Sequence, residues 1–383
     1  MKGWMWIALV VILLLTAGFL WFCRKIGTQF LENLRKKKPG EAFNPHIDIS
    51  FYLNGPLPAL SREGMAYMET LPREDVTICS EDGLKLHGTL FPAPGKEPNY
   101  VIGIHGFQSK AWHEFAPHIA FYRSIGFGML LPDDRAHGSS EGAYATMGVK
   151  DRRDCVAWAG ELVRRFGPGT RLLLHGVSMG GATVLSASGE EDLPAQVAGI
   201  VSDCGFTSAR ESFECQIESL YHIPPKFPVR ICQWYAKHRA GFDFLEAQPI
   251  DQVKKARVPI LFVQGAEDAM VPAFMAEKLY EACGSRRELL IVPKANHAES
   301  IAYDPYGYHQ AIQRLLSYTP EHEKPGCTDL CSRVVFFGGM GKNEKIPQIS
   351  NYNTFGAYEQ QTEVWYNEQS PSYGYDTEKD DEK

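Results

Sequence analysis

The chain has no excess of positive charge, no ordered cysteine framework, and no charged residue between Gly3 and Cys23. Its 383 residues carry a formal net charge of −7. They therefore lack the basic stripe that a nucleic-acid surface needs, and no nucleic-acid partner is expected. The nine cysteines are an odd number without a repeating spacing, which argues against a disulfide scaffold and for buried, reduced thiols. Cys327 and Cys331 are close together, but no second pair or histidine follows to complete a zinc site. What is present is the composition of a globular protein, 44% hydrophobic and 22% charged, at a length that suits one large domain or two ordinary ones.

The charge-free run from Gly3 to Cys23 is as long as a helix that crosses a bilayer core, about 20 residues. A cleaved signal peptide fits less well. Only Lys2 precedes the run, and Phe19-Leu20-Trp21-Phe22 is a poor lead-in to a small-residue cleavage site. Residues 1–25 are therefore expected to be a transmembrane anchor. Arg24, Lys25, Arg35, Lys36, Lys37 and Lys38 follow it, which places the rest of the chain on the cytoplasmic side. Residues 26–74 read as a connector containing one short helix from Ser61 to Leu71, with Ser61 as its N-cap.

From residue 75 to 319 the pattern becomes regular. Val76–Cys79 and Leu84–Leu90 flank Glu81-Asp82-Gly83, a hairpin signal. Apolar strands then alternate with helical stretches: Tyr100–Ile104, Gly126–Leu131, Arg171–His175, Val197–Ser202, Val258–Val263 and Leu289–Val292, with a last helix from Ile301 to Tyr318. This alternation predicts an α/β fold, a mostly parallel central sheet with helices on both faces. Between about 206 and 248 it breaks into two helical stretches around Pro224-Pro225-Lys226-Phe227-Pro228, which are placed to form a helical cap. Residues 320–383 lose all periodicity and read as a disordered polar tail.

Chemistry is concentrated in a few loops. Gly176-Val177-Ser178-Met179-Gly180 follows a strand and opens a helix, the setting in which G-x-S-x-G exposes a nucleophilic serine. Serine needs a base, and His297 is the candidate, in the loop before the last helix. Asp268, after the strand ending at Val263, is expected to orient it, with Glu267 and Asp203 as rival carboxylates. The backbone N–H groups of Phe107 and Met179 are the expected oxyanion donors. Asp134 and His137 are expected to brace the loop near the sheet top, His105 to brace the oxyanion loop, and His175 to pack within its strand.

His105-Gly106-Phe107, Asp134-Arg135-Ala136-His137-Gly138-Ser139, Gly176 through Gly181, Gly265 through Pro272, and His297 together resemble the α/β-hydrolase pattern over about Val76 to Tyr318. More narrowly, the chain resembles bacterial membrane-anchored α/β hydrolases related to serine aminopeptidase-like and dipeptidyl-peptidase-like domains. That resemblance implies a cofactor-free serine hydrolase acting on a small-molecule acyl ester or a short peptide, with a membrane as its other partner. A carboxylic ester is the leading expectation. An aminopeptidase-like activity would draw on cap acids such as Glu211, Glu214, Glu218, Asp243 and Glu246 to hold an amine. A non-catalytic anchored scaffold that recruits partners through its tail is the reading from another class.

Overall fold

The computed structural model describes residues 2–37, 55–317 and 333–336. Nine strands form one sheet: β1 (Glu74–Cys79), β2 (Lys85–Phe91), β3 (Asn99–Ile104), β4 (Gly128–Pro132), β5 (Arg171–Val177), β6 (Val197–Asp203), β7 (Ile260–Gly265), β8 (Arg287–Val292) and β9 (Arg333–Phe336). Their spatial order is β1-β2-β4-β3-β5-β6-β7-β8-β9. β2 pairs antiparallel with both β1 and β4, and every later pairing is parallel. This is the α/β-hydrolase fold.

Period-two alternation sends neighbouring strand residues to opposite faces. Leu172 and Leu174 join Ile102, Trp158 and Leu162 on one side, while Leu173 joins Val101, Ile119 and Tyr308 on the other. Both faces are therefore apolar, as a parallel sheet covered by helices requires. The register ends β5, β6, β7 and β8 together, with Val177 opposite Asp203, Asp203 opposite Val263, and Gly265 opposite Val292. Loops leaving those four ends share one rim, where the carboxyl ends of parallel strands gather functional groups.

Helix α1 (Lys2–Leu34) carries an 18-residue window of mean hydropathy 2.5, long and apolar enough to cross a membrane. It does not stop near residue 25. The connector expected over 26–74 begins instead as nine further helical residues. No proline interrupts them, and Ile26, Phe30 and Leu34, spaced four apart, pack on the cap. Gly27 lets α1 approach closely, since a Cβ there would lie 2.1 Å from the Tyr235 ring. The connector helix α2 (Leu57–Thr70) starts after Pro56, so Ser61 is a buried interior residue and not an N-cap.

The cap consists of α6 (Ala209–Tyr221) and α7 (Lys226–Tyr235), after α3 (Ala116–Ser124), α4 (Asp151–Phe166) and α5 (Met179–Ala187) have flanked the sheet. Pro228 sits in the first turn of α7, where the missing N–H costs nothing. α8 (Phe274–Ala282) follows β7. The last helix breaks at Asp304, which caps α9 (Pro305–Leu316) by accepting from the Gly307 N–H; Pro305 opens that helix. One further departure lies in the tail. Arg333–Phe336, a β-branched run, pairs as β9 with the open edge of β8, whereas the rest of 320–383 lies outside the described residues, as do Cys327 and Cys331.

Close packing at the rim leaves no room for a side chain at Gly180, where a Cβ would lie 2.0 Å from the Ile104 carbonyl oxygen. Gly180→Ala is expected to cost about 1–3 kcal/mol by overpacking, read as a lower denaturant midpoint for the detergent-solubilised full chain. An unchanged midpoint would contradict this packing.

Candidate active site

β5 runs straight into Ser178, whose φ of 56° and ψ of −115° put a non-glycine residue in strained backbone. Its N–H donates to the Asp203 carbonyl at 2.8 Å, locking the turn to the neighbouring strand end. Met179 is the first residue of α5, so its N–H has no acceptor within the helix and faces outward at the helix N-terminus.

The structure brings Ser178, His297 and Asp268 into one chain of contacts. Ser178 Oγ is 2.8 Å from His297 Nε2, and His297 Nδ1 is 2.8 Å from Asp268 Oδ2. Asp268 is fully anchored. Its Oδ1 accepts the Met270 and Val271 N–H groups at 2.9 and 2.8 Å, and its Oδ2 also accepts the Gln264 amide at 2.8 Å. Of the rival acids, Glu267 is exposed, and Asp203 is buried and accepts from the Tyr308 hydroxyl at 3.0 Å. The carboxylate that meets His297 is that of Asp268.

Burial pushes the His297 imidazolium down, but the Asp268 carboxylate, at Coulomb and hydrogen-bond range, more than offsets it, and the net shift is upward from 6.5. Burial also raises Asp203 to about 7. Cys204 Sγ lies 3.9 Å from His297 Nε2, and Cys204, Asp268 and His297 offer donor atoms within 4.8 Å of one another. A metal there would have to displace an existing contact, because both ring nitrogens of His297 are engaged.

Phe107 is held between two anchors. The Gly106 N–H donates to Glu114 Oε2 at 2.8 Å, and the Gln108 N–H donates to His137 Nε2 at 3.0 Å. His105 contacts the Gly106 carbonyl through Nδ1 at 2.7 Å and accepts the Asp134 N–H through Nε2 at 3.1 Å. His137 is buried and pushed down to about 3, so it is a neutral acceptor at any working pH. Arg135, between these residues in sequence, forms a buried pair with Asp154 at 2.6 Å. His175 lies under the site, touching the Tyr122 and Tyr308 hydroxyls at 2.9 and 3.0 Å.

Several positioning residues escape sequence reasoning. Glu114 looks like an ordinary helix-end acid, yet it is buried against the Gly106 N–H, with its carboxyl raised by desolvation. Asn296 Oδ1 accepts from the N–H groups of both Ala269 and His297, at 3.2 and 2.8 Å, and so ties the two loops together. The Gln108 side-chain amide donates to the Asn33 carbonyl of α1. The Asp-x-x-Val-Pro spacing after β7 is a turn signal for an Asp accepting from N–H groups two and three residues ahead, and it is readable in advance. The other contacts span 8 to 75 residues and leave no local trace.

Above Ser178 opens a cavity of about 880 Å³. Its floor includes Ser178, Met179, Phe107 and His297, its walls come from the cap, and one side is α1 from Trp21 to Leu34. Phe30 of α1 meets Phe213 and Phe244 of the cap region at 5.3 and 5.4 Å between ring centres. None of Glu211, Glu214, Glu218, Asp243 and Glu246 lines the cavity. Glu211 pairs with Lys278 at 2.6 Å, and Asp243 accepts from the Leu245 N–H at 3.1 Å.

The prolyl oligopeptidase family pattern matches residues 114–324, just over half of the chain. The chain belongs to that family. It is a serine hydrolase in the general sense that family and fold convey. Protein YqkD of Bacillus subtilis is 25% identical over 224 residues, 58% of this chain and 73% of that one. Membrane protein YNL320W of Saccharomyces cerevisiae is 28% identical over 250 residues, 64% of this chain and 80% of that one. Among solved structures, the Pyrococcus furiosus esterase Pf2001 superposes with a TM-score of 0.53 at 21% identity, covering 65% of this chain and 92% of that one, which speaks to the shared fold.

Proposed function

We propose that the chain is a membrane-anchored serine esterase that uses Ser178, His297 and Asp268 as a catalytic triad. The observation that carries this reading is the unbroken contact chain, 2.8 Å at each link, on the floor of an apolar cavity. In this reading Ser178 Oγ attacks the ester carbonyl carbon while His297 Nε2 takes its proton. Asp268 holds the tautomer and stabilises the imidazolium that forms. The oxyanion faces the N–H groups of Met179 and Phe107, each such donor being worth about 2.7–4 kcal/mol of barrier. His297 then returns the proton to the departing alkoxide oxygen, and water releases the acyl group by the same steps in reverse roles. The basic flank from Arg24 to Lys37 supports a single span with the catalytic body on the cytoplasmic side.

Family membership favours an amide substrate as the second reading. Against it stands the cavity wall, which includes none of the five cap acids that would recognise a peptide amine. The full chain in detergent is expected to turn over p-nitrophenyl butyrate with kcat/KM on the order of 100-fold above that for an aminoacyl-p-nitroanilide, because the site holds no group to pair with the amine. The reverse order would replace the esterase reading with a peptidase one.

A further inference from the structure

We propose that the tip of the cap enters the bilayer beside α1, and that the cavity draws its substrate from there: a lipid-resident ester with a long acyl chain. The proposal rests on the esterase reading above and gives that site its substrate class.

The depth of the cap tip follows from one contact. Phe19 belongs to the charge-free run of α1, four residues before the first following charge at Arg24. It stacks on Phe227 of α7 with ring centres 5.7 Å apart. If the run is in hydrocarbon at Phe19, so is Phe227. Beside it, Leu220, Tyr221, Ile223 and Trp234 are each 41–57% exposed, a cluster of large apolar side chains of the kind that marks an interaction surface. Behind this tip, Lys226, Arg230, Lys237 and Arg239 are all exposed, and no carboxylate occurs from 226 to 240. An apolar tip with a basic collar matches a membrane interface, where acyl chains meet anionic headgroups.

The cavity connects the same tip to the serine. Leu220, Tyr221 and Ile223 line it at one end and Ser178 at the other, with α1 from Trp21 to Leu34 along its side. Thirteen helical steps make that side about 20 Å long. Its volume of about 880 Å³ lies near the top of the range of about 300–1,000 Å³ for small-ligand sites. Lys25, Lys110 and Glu114 are the only ionisable lining groups besides Tyr221 and the histidines, and Lys25 sits over Trp21 at 5.3 Å, at the membrane end. A long, narrow apolar slot open toward lipid accommodates an acyl chain whose ester end reaches Ser178 while its far end stays level with the bilayer. A short water-soluble ester gains nothing from this route.

The test uses the full-length chain and its F227D/W234D variant, in vesicles of phosphatidylcholine with one-fifth phosphatidylglycerol. Neither residue lines the cavity. Hydrolysis of 4-methylumbelliferyl palmitate carried in the vesicles is expected to fall by at least about 10-fold in the variant, with p-nitrophenyl acetate in the buffer changed by less than about two-fold. Equal loss of both activities, or loss of neither, overturns the proposal. In a second arm, wild-type vesicles containing a diazirine-acyl phosphatidylcholine are irradiated and the adducts mapped. Adducts at 220–234 as well as 4–22 are expected; adducts confined to 4–22 overturn the proposal. Labelling of Ser178 by a fluorophosphonate reports the esterase reading separately. A chain that is not labelled ends that reading, while the adduct map still decides whether the cap tip meets lipid.

Discussion

Ser178→Ala is expected to lower kcat for p-nitrophenyl butyrate by on the order of 10⁶-fold with KM little changed, the scale seen when a serine hydrolase loses its nucleophile. The substitution removes one oxygen, and what it leaves is informative. The turn keeps its Cβ at φ 56°, the N–H bond to the Asp203 carbonyl is a backbone contact, and the cavity floor is otherwise intact. Stability should therefore stay within about 0.5 kcal/mol of wild type, as for changes that touch no packed or paired group. The measurement is steady-state turnover beside a denaturation curve of the same preparation. Loss of fluorophosphonate labelling accompanies the loss of rate. A variant that retains a tenth of the activity would remove Ser178 from the chemistry altogether.

Asp268→Asn tests the third member through both rate and pH. On the triad pattern, an amide in this place leaves the imidazole in the wrong tautomer and lowers kcat by on the order of 10⁴-fold. The pH profile carries a separate sign. His297 must be neutral to accept the Ser178 proton, so kcat/KM falls as pH drops through its pKa in the free enzyme. In the wild type burial lowers that pKa and Asp268 raises it to a net value above 6.5, so the acid limb of the profile lies above 6.5. Without the carboxylate, burial acts with less opposition, and the limb of the residual activity should move to lower pH. A lowered rate with an unmoved limb would mean that Asp268 positions His297 without contributing charge.

Local patterns carried far into this fold. Arg171 to Gly181 announces strand, turn and helix, because alternating leucines end at glycines whose Cβ positions are filled by Gly180 O and Ile104 O. The order of Ser178, Asp268 and His297 in three strand-following loops is likewise visible along the chain. Choosing Asp268 over Asp203 is not, since both follow strands in the same sheet and differ only in what lies across from them: His297 for one, Tyr308 for the other. The extent of α1 is hidden for the same reason. Its residues beyond Arg24 have ordinary helical propensity, and their apolar stripe acquires meaning only against a cap some 200 positions later. β9 is illegible because four residues within a polar tail pair only where a sheet edge is already waiting.

The seam at the end of α1 changes what counts as the enzyme. Leu34 and Lys36 exchange backbone bonds with Ala145 and Ala143, at 2.9 Å each, and Asn33 receives the side chain of Gln108, next to Phe107. The helix is thus a dock, fixed at its inner end, and not a leash on which a finished catalyst swings. A preparation cut at residue 38 would leave an open trough where the wild type has a walled slot, and its rates would describe a different catalyst.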